Sequence, residues 1–488
     1  MEYISTRNNK KNFTFEEVFL KGLASDGGLF IPKSTKKFTK EELKSFRNLS
    51  YQDLAKKIIF PYLGNFMSES ELSDIIEKSY SVFRKDNVVH FTTGHGNDGL
   101  EYVNILELFH GPTLAFKDIA MQLIGNFYEY YLKKNNKKIN IIVATSGDTG
   151  AAAIDAIRGK KNMNIFVLHP HNKISTVQRK IMTTAKEQNI FNLAINGNFD
   201  DCQNLVKSMF SDQDFSNSIN MSGVNSINWA RIVAQAVYYF YAYFKSDFVK
   251  GNDYKELINF SVPTGNFGDV YAGYLAKKMG LPINKLIVAT NKNDILHRAI
   301  SDGNYEAKKV FQTLSPSMDI QIASNFERLI YDLNDFSDTE TEKVMNEIKK
   351  TGKYKIPKDK IEKIKKDFLS ASLNEEEMKD IIRKLSHTFS TVHVSEMNSK
   401  PIIVDPHTAI GIGAIIKILK TNKDCGININ TTISLATAHP AKFPEAMRFA
   451  YGGVELPEEL KHVMNEKENF EIMDNNLEQV KDYILKKI

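Results

Sequence analysis

The chain has 488 residues, 42 % hydrophobic and 25 % charged, the balance of a soluble globular protein and not of a disordered, fibrous or membrane-embedded one. Its 64 Lys and Arg against 59 Asp and Glu leave a net charge of +5, too little for a strong field toward nucleic acid or anionic lipid. Cys202 and Cys425 are the only cysteines, which excludes a disulfide framework or a cysteine zinc site and suits a reducing compartment.

The first residues, from Met1 to Lys11, lack the apolar run of a secretory signal, and no stretch offers the ~18 consecutive apolar residues of a spanning helix. A cytoplasmic protein without membrane or nucleic-acid partners is expected. At roughly 150 residues per domain, the length allows two or three packing units. Soft boundaries divide it into an N-terminal part (1–95), an α/β domain (96–260) and a second α/β part (261–488). Short β-branched runs at 139–144, 165–168, 257–262, 286–290, 402–404 and 432–436 are mostly followed by polar turns and helix-period stretches. Such alternation predicts mainly parallel sheets covered on both faces, with ligands at strand C-terminal ends.

Residues 109–118 read Phe-His-Gly-Pro-Thr-Leu-Ala-Phe-Lys-Asp, setting Lys117 in apolar surroundings just before a helix expected at 119–127. A desolvated amine there would shed its proton and suit Schiff-base chemistry; an ordinary exposed lysine is the commoner occupant of a helix start, and this segment alone does not choose catalysis over it. The run of lysines and asparagines at 133–138 reads as a solvated turn before a strand. At 145–153, Thr-Ser-Gly-Asp-Thr-Gly-Ala-Ala-Ala opens a helix after a strand, so its amides are available to an anion, or Ser146, Asp148 and Thr149 merely cap the helix.

The arrangement recurs at 263–269, Pro-Thr-Gly-Asn-Phe-Gly-Asp. Gly265 and Gly268 permit close backbone approach to a phosphate without a P-loop lysine, although Asp269 opposes an anion unless it turns away. The segment 334–384 is rich in Glu, Lys and Asp and reads as solvated surface helices, with Ile361, Ile364 and Phe368 at helical spacing. At 435–443, Thr437, His439 and Lys442 cluster after a strand, as loop polarity or as part of a site. The histidines show no paired metal-ligand spacing, and no metal site is expected.

Taken together, these segments make the chain similar to the threonine synthase family, within the fold type II pyridoxal-phosphate enzymes that also include tryptophan synthase β. Further carriers of the resemblance are Asp26–Pro32, Asn225–Arg231, Ala289–Asp294, Ser315–Gln321 with Ser324–Arg328, and Asp405–Gly411. The similarity runs to about Phe443, and the length matches the longer fungal and bacterial branch. The resemblance implies parallel-sheet α/β domains with pyridoxal 5'-phosphate in the cleft between them. It implies that Lys117 holds the cofactor as an imine, that Gly265, Asn266, Phe267, Gly268 and Asp269 surround its phosphate, and that Thr437 meets its ring nitrogen.

Substrate would lie on Ser146, Asp148 and Thr149, with its phosphate at Arg231 and Lys442. In the shorter branch an Asn stands where this chain has Asp148, and a carboxylate there would repel an anion. The implied reaction, that of a carbon–oxygen lyase, converts O-phospho-L-homoserine and water to L-threonine and phosphate. It requires that water enter late, hence a closing subdomain. Two alternatives stand beside it: a phospholyase that releases 2-oxobutyrate, and a catalytically silent cofactor-binding protein. A monomer or homodimer is expected.

Overall fold

The computed structural model describes residues 1–84, 87–95, 102–246, 256–387, 389–390, 401–422, 425–449 and 454–488. Two parallel-dominated sheets organise it. The smaller runs Glu471–Asp474, Ile190–Asn196, Met163–Pro170, Ile139–Ala144, Met221–Ser222, all parallel. The larger runs Phe368–Ser372, Ile283–Thr290, Ile258–Pro263, Thr432–Ala436, Val103–Glu107, His90–His95, Phe389–Ser390. Its first five strands are parallel and its last two pairings antiparallel.

Four of the six expected strands coincide closely with observed ones, because each is a continuous apolar run buried on both faces, as the fully buried pattern of Ile258–Pro263 shows. The Met163–Pro170 strand is longer than expected at both ends. The run at 402–404 is not a strand. Ile402 and Val404 are buried, but Pro401 and Pro406 bracket the segment and withhold ladder donors. Asp405 instead accepts from the amides of His407 (3.0 Å) and Thr408 (3.1 Å) to start the helix Pro406–Thr421.

The charged segment does form the helices Asp338–Thr351, Lys358–Asp367 and Glu375–Ser386. However, Phe368 leaves the helical period. With φ −121° and ψ 144° it begins the strand Phe368–Ser372, which pairs with Ile283–Thr290 and extends the larger sheet. The insert is therefore built into the sheet, and Phe368 is buried as a strand residue. The expected boundaries also cut across the sheets. The hairpin His90–His95/Val103–Glu107 straddles 95 and belongs to the larger sheet, while Glu471–Asp474 returns from the far end of the chain to the smaller one.

Helix Trp229–Lys245 is buried from Trp229 to Phe244 and Lys117–Asn135 along most of its length, as helices enclosed on every side must be. Arg328 ties two distant segments to this centre. Fully buried, it donates to the Phe30 carbonyl (3.0 Å), the Ile227 carbonyl (2.6 Å) and the Asn325 side chain. Arg328→Met leaves two interior carbonyls unpaired at ~1–3 kcal/mol each. Denaturant titration is expected to show a loss of about 3 kcal/mol; a loss below about 0.5 kcal/mol contradicts this role.

Candidate active site

The cleft between the sheets is lined by the strand C-terminal ends and the turns that follow them. Lys117, Asp148, Thr149, Arg231, the 263–269 turn, Ser317, His407 and Thr437 all border it, where parallel α/β sheets place their ligands.

Lys117 is the first residue of its helix, and a compact turn sets it there. Leu114 adopts a left-handed φ of 62°, and Asp118 folds back to accept from the Thr113 amide (2.8 Å) and hydroxyl (2.6 Å). Gly111 has no substitute in this turn, since a Cβ would lie 2.4 Å from the Asp118 Cβ. Burial pushes the Asp118 carboxyl up to about 6 despite those donors. An antiparallel bridge between Ala115 and Ala438, with the Phe116 amide on the Thr437 carbonyl (2.9 Å), fastens the turn to the end of the Thr432–Ala436 strand. Lysine and threonine, far apart in sequence, are thereby held in one frame. The Thr437 hydroxyl has no partner among the described residues.

Asp148 is 4 % exposed and receives four donors. Its Oδ2 lies 3.2 Å from the Lys117 Nζ and 3.2 Å from the Ser317 Oγ; its Oδ1 lies 2.5 Å from the Lys442 Nζ and 2.8 Å from the Gln178 Nε2. Burial alone would raise its pKa, but Lys442 and Lys117 hold it well below the usual carboxylate range. Burial lowers the pKa of the Lys117 ammonium, with Arg231 and Lys442 adding to the effect and Asp148 opposing it. Of the two environments open to this amine, exposed or desolvated, the fold supplies the desolvated one.

At the second turn, the amides of 265–269 have no acceptor among the described residues. They precede the helix Gly268–Lys278, and its first-turn donors are free by geometry. Gly265 is required because a Cβ would come within 2.7 Å of the Ser317 carbonyl. Phe267, at φ 65°, turns its ring into the core against Phe326 and Phe368, so only its backbone serves the cleft. Asp269 presents its amide, while its side chain lies within hydrogen-bond reach of the Tyr238 and Tyr239 hydroxyls. Burial pushes this carboxyl up to about 6, which reduces the electrostatic objection that its sequence position raises.

Arg231, 3 % exposed at the start of the helix Trp229–Lys245, has an unpartnered Nη1, and burial lowers its pKa to about 10. Two expectations require correction. Lys442 does not border the cleft. It is wholly buried behind it, its Nζ turned to Asp148 and to the Thr113 carbonyl (2.9 Å) and not to the space a substrate phosphate would fill. Ser146 is likewise absent from the lining, and Asp148 contributes a carboxylate already filled by lysines; Thr149 alone of that turn offers a hydroxyl to the cleft.

Sequence reasoning quoted the segments of His407 and Ser317 but gave neither residue a role. His407 hydrogen-bonds Asp405 through Nδ1 (2.6 Å) and accepts the Ser317 amide on Nε2 (3.2 Å). The signal was the presence of family-specific segments without an obvious structural task.

A buried amine of lowered proton affinity, a row of free amides, an unpartnered guanidinium nitrogen and a free hydroxyl on one cleft fit a phosphate-bearing aldehyde cofactor. The residues from 96 to 354 match the model of pyridoxal-phosphate dependent enzymes. The fold and site define an enzyme of that class, with pyridoxal phosphate as its cofactor.

Residues 2–80 match the threonine synthase N terminus and residues 408–484 the threonine synthase C-terminal model. Threonine synthase of Saccharomyces cerevisiae is 43 % identical, over 99 % of this chain and 97 % of that protein. That of Pseudomonas aeruginosa is 42 % identical, over 99 % and 98 %. The crystal structure of pyridoxal-phosphate-bound threonine synthase from Brucella melitensis superposes with a TM-score of 0.89 at 40 % identity, covering 100 % of this chain and 99 % of that one. The chain belongs to the threonine synthase family, and the likeness continues past Phe443 to the C-terminal helix Leu477–Lys487.

Gly265→Ala tests the amide turn. The added methyl meets backbone rather than a flexible side chain, so the turn must open. The purified variant is expected to lose its cofactor on dialysis at least about tenfold more readily than the parent, a difference of ~1.4 kcal/mol, read from visible absorption; equal retention contradicts the assignment.

Proposed function

We propose that this chain converts O-phospho-L-homoserine and water to L-threonine and phosphate, with Lys117 as the residue that carries the cofactor and moves protons. One observation carries the reading: the Lys117 amine is mostly buried, with 11 % of its side chain exposed, borders the cleft, and is held 3.2 Å from a carboxylate already paired with another lysine. Bound pyridoxal phosphate supplies an aldehyde for that amine and an electron sink for charge developing on the substrate.

The other side chains on the cleft with a basic atom are occupied. Asp148 is held ionised by two lysines, Asp269 lies between two tyrosines, and the acceptor nitrogen of His407 takes the Ser317 amide. Lys117 is left as the base able to take the α-proton and later to return a proton at Cγ. The turn at 145–149 offers the substrate carboxylate the Asp148 and Thr149 amides and the Thr149 hydroxyl, since the Thr145 and Gly147 amides already donate to the Leu168 carbonyl and the Thr145 hydroxyl (3.0 Å each). Arg231 offers its free nitrogen to a phosphoryl group, and the 265–269 amides hold the cofactor's own phosphate. Thr437 meets the ring nitrogen with a hydroxyl. Closure of a subdomain over the substrate delays the entry of water. The two free, buried cysteines suit a reducing, cytosolic location.

Incubation with O-phospho-L-homoserine, with threonine, phosphate and 2-oxobutyrate assayed together, is expected to give threonine and phosphate in equal amounts. Lys117→Ala should lower turnover by about 10²–10⁴-fold or more. Phosphate with 2-oxobutyrate in place of threonine marks a phospholyase; a coloured but inert protein marks a silent binder.

Arg231→Ala is expected to raise KM for the phosphorylated substrate at least about tenfold, from the loss of a charge-assisted contact of roughly 1.5–3 kcal/mol. A loss of cofactor absorption instead assigns Arg231 to the cofactor's phosphate. If KM and cofactor absorption both stay at the parent's values, the anion-binding role is contradicted.

A further inference from the structure

Among the described residues, Lys442 is the one lysine that is wholly buried. A buried ammonium is costly unless paired, and this one is paired with a residue of the site. Its Nζ sits 2.5 Å from the Asp148 Oδ1 and 2.9 Å from the Thr113 carbonyl, inside the turn that sets Lys117. The other oxygen of the same carboxylate lies 3.2 Å from the Lys117 Nζ. One carboxylate therefore bridges two lysines, more closely on the side away from the cleft.

The charged groups facing Lys117 come from four elements. Asp148 stands on Asp148–Ile157, Lys442 on Pro440–Lys442, Arg231 on Trp229–Lys245 and Asp269 on Gly268–Lys278. His407, at the start of Pro406–Thr421, borders the same cleft.

We propose that Lys442 is a positioning residue for Lys117, acting through Asp148: it fixes the carboxylate and takes up its charge, so that Asp148 aims the Lys117 amine without retaining its proton. With Lys442 present, the amine faces a neutral ion pair. Without it, the amine faces an unshared buried carboxylate, which stabilises a proton on the lysine nitrogen. The arrangement gives Asp148 a task that is geometric toward Lys117 and electrostatic toward Lys442, and Gln178 and Ser317 complete its four acceptor sites.

The inference rests on the reading that Lys117 carries the cofactor, and the test separates the two. The pH titration of the holoenzyme's visible absorption reports protonation at the Lys117 nitrogen. A parent protein with no such absorption sinks the reading of Lys117 itself; a coloured parent leaves the inference to the variants. Lys442→Met is expected to raise the titration midpoint by one pH unit or more, and Asp148→Asn to lower it. Asp148→Asn/Lys442→Met, which replaces the ion pair by a neutral pair, should return it to within half a unit of the parent. If either single variant does not fold, the double variant alone decides, and a midpoint displaced by a full unit overturns the proposal. Lys442→Met that loses thermal stability but titrates like the parent shows a merely structural lysine and overturns it too.

Discussion

The site depends on one buried carboxylate shared by two lysines. Removing any of these charges from water is expensive, and a buried ion pair is tolerated only where geometry and further hydrogen bonds satisfy it. Asp148 meets that condition with contributions from five places in the chain: its own helix start, the Lys117 turn, the Lys442 turn, Gln178, and the Ser317 loop. Each must be correctly placed for the others to be stable. The charge set therefore acts as a constraint on the fold as well as a chemical device, and it explains why the elements around the cleft are cross-linked so heavily. The Ala115–Ala438 bridge, the fold-back of Asp118 onto Thr113, and the His407 contact to the Ser317 amide all hold donors to Asp148 or their neighbours in position.

The second half of the site follows a different principle. At 265–269 there is no cation within the turn itself; unpaired amides before a helix do the work, and a glycine is required where the Ser317 backbone passes close. The Ser317 loop thus serves both halves, donating its hydroxyl to Asp148 and lining Gly265 with its carbonyl.

Much of this was legible in the sequence where the signal is local. The strands at 139–144 and 432–436, the Lys117 helix and the two glycine-bearing turns follow from apolar runs and turn residues. The resemblance then placed Lys117, Thr437 and the amide turn on one site. What was not legible depends on tertiary pairing. Phe368 fits a helical period and a strand equally well, and its neighbour strand Ile283–Thr290 decides. The 402–404 run has strand composition but prolines at both ends. Lys442 reads as a loop cation until the fold buries it against Asp148. Asp148 itself looked unsuitable beside an anion, because the sequence does not reveal the two lysines that neutralise it. His407 and Ser317 carry no local signal for a role; their contacts join residues 90 positions apart.

The cofactor is proposed to be linked to the amine of Lys117. Borohydride reduction of the holoenzyme, followed by proteolysis and mass mapping, tests it most directly, because reduction makes the linkage permanent. The account predicts one adduct, on the peptide that contains Lys117, in stoichiometric yield. An adduct on any other lysine, Lys442 included, or a reduced protein from which all cofactor dialyses away, would contradict it.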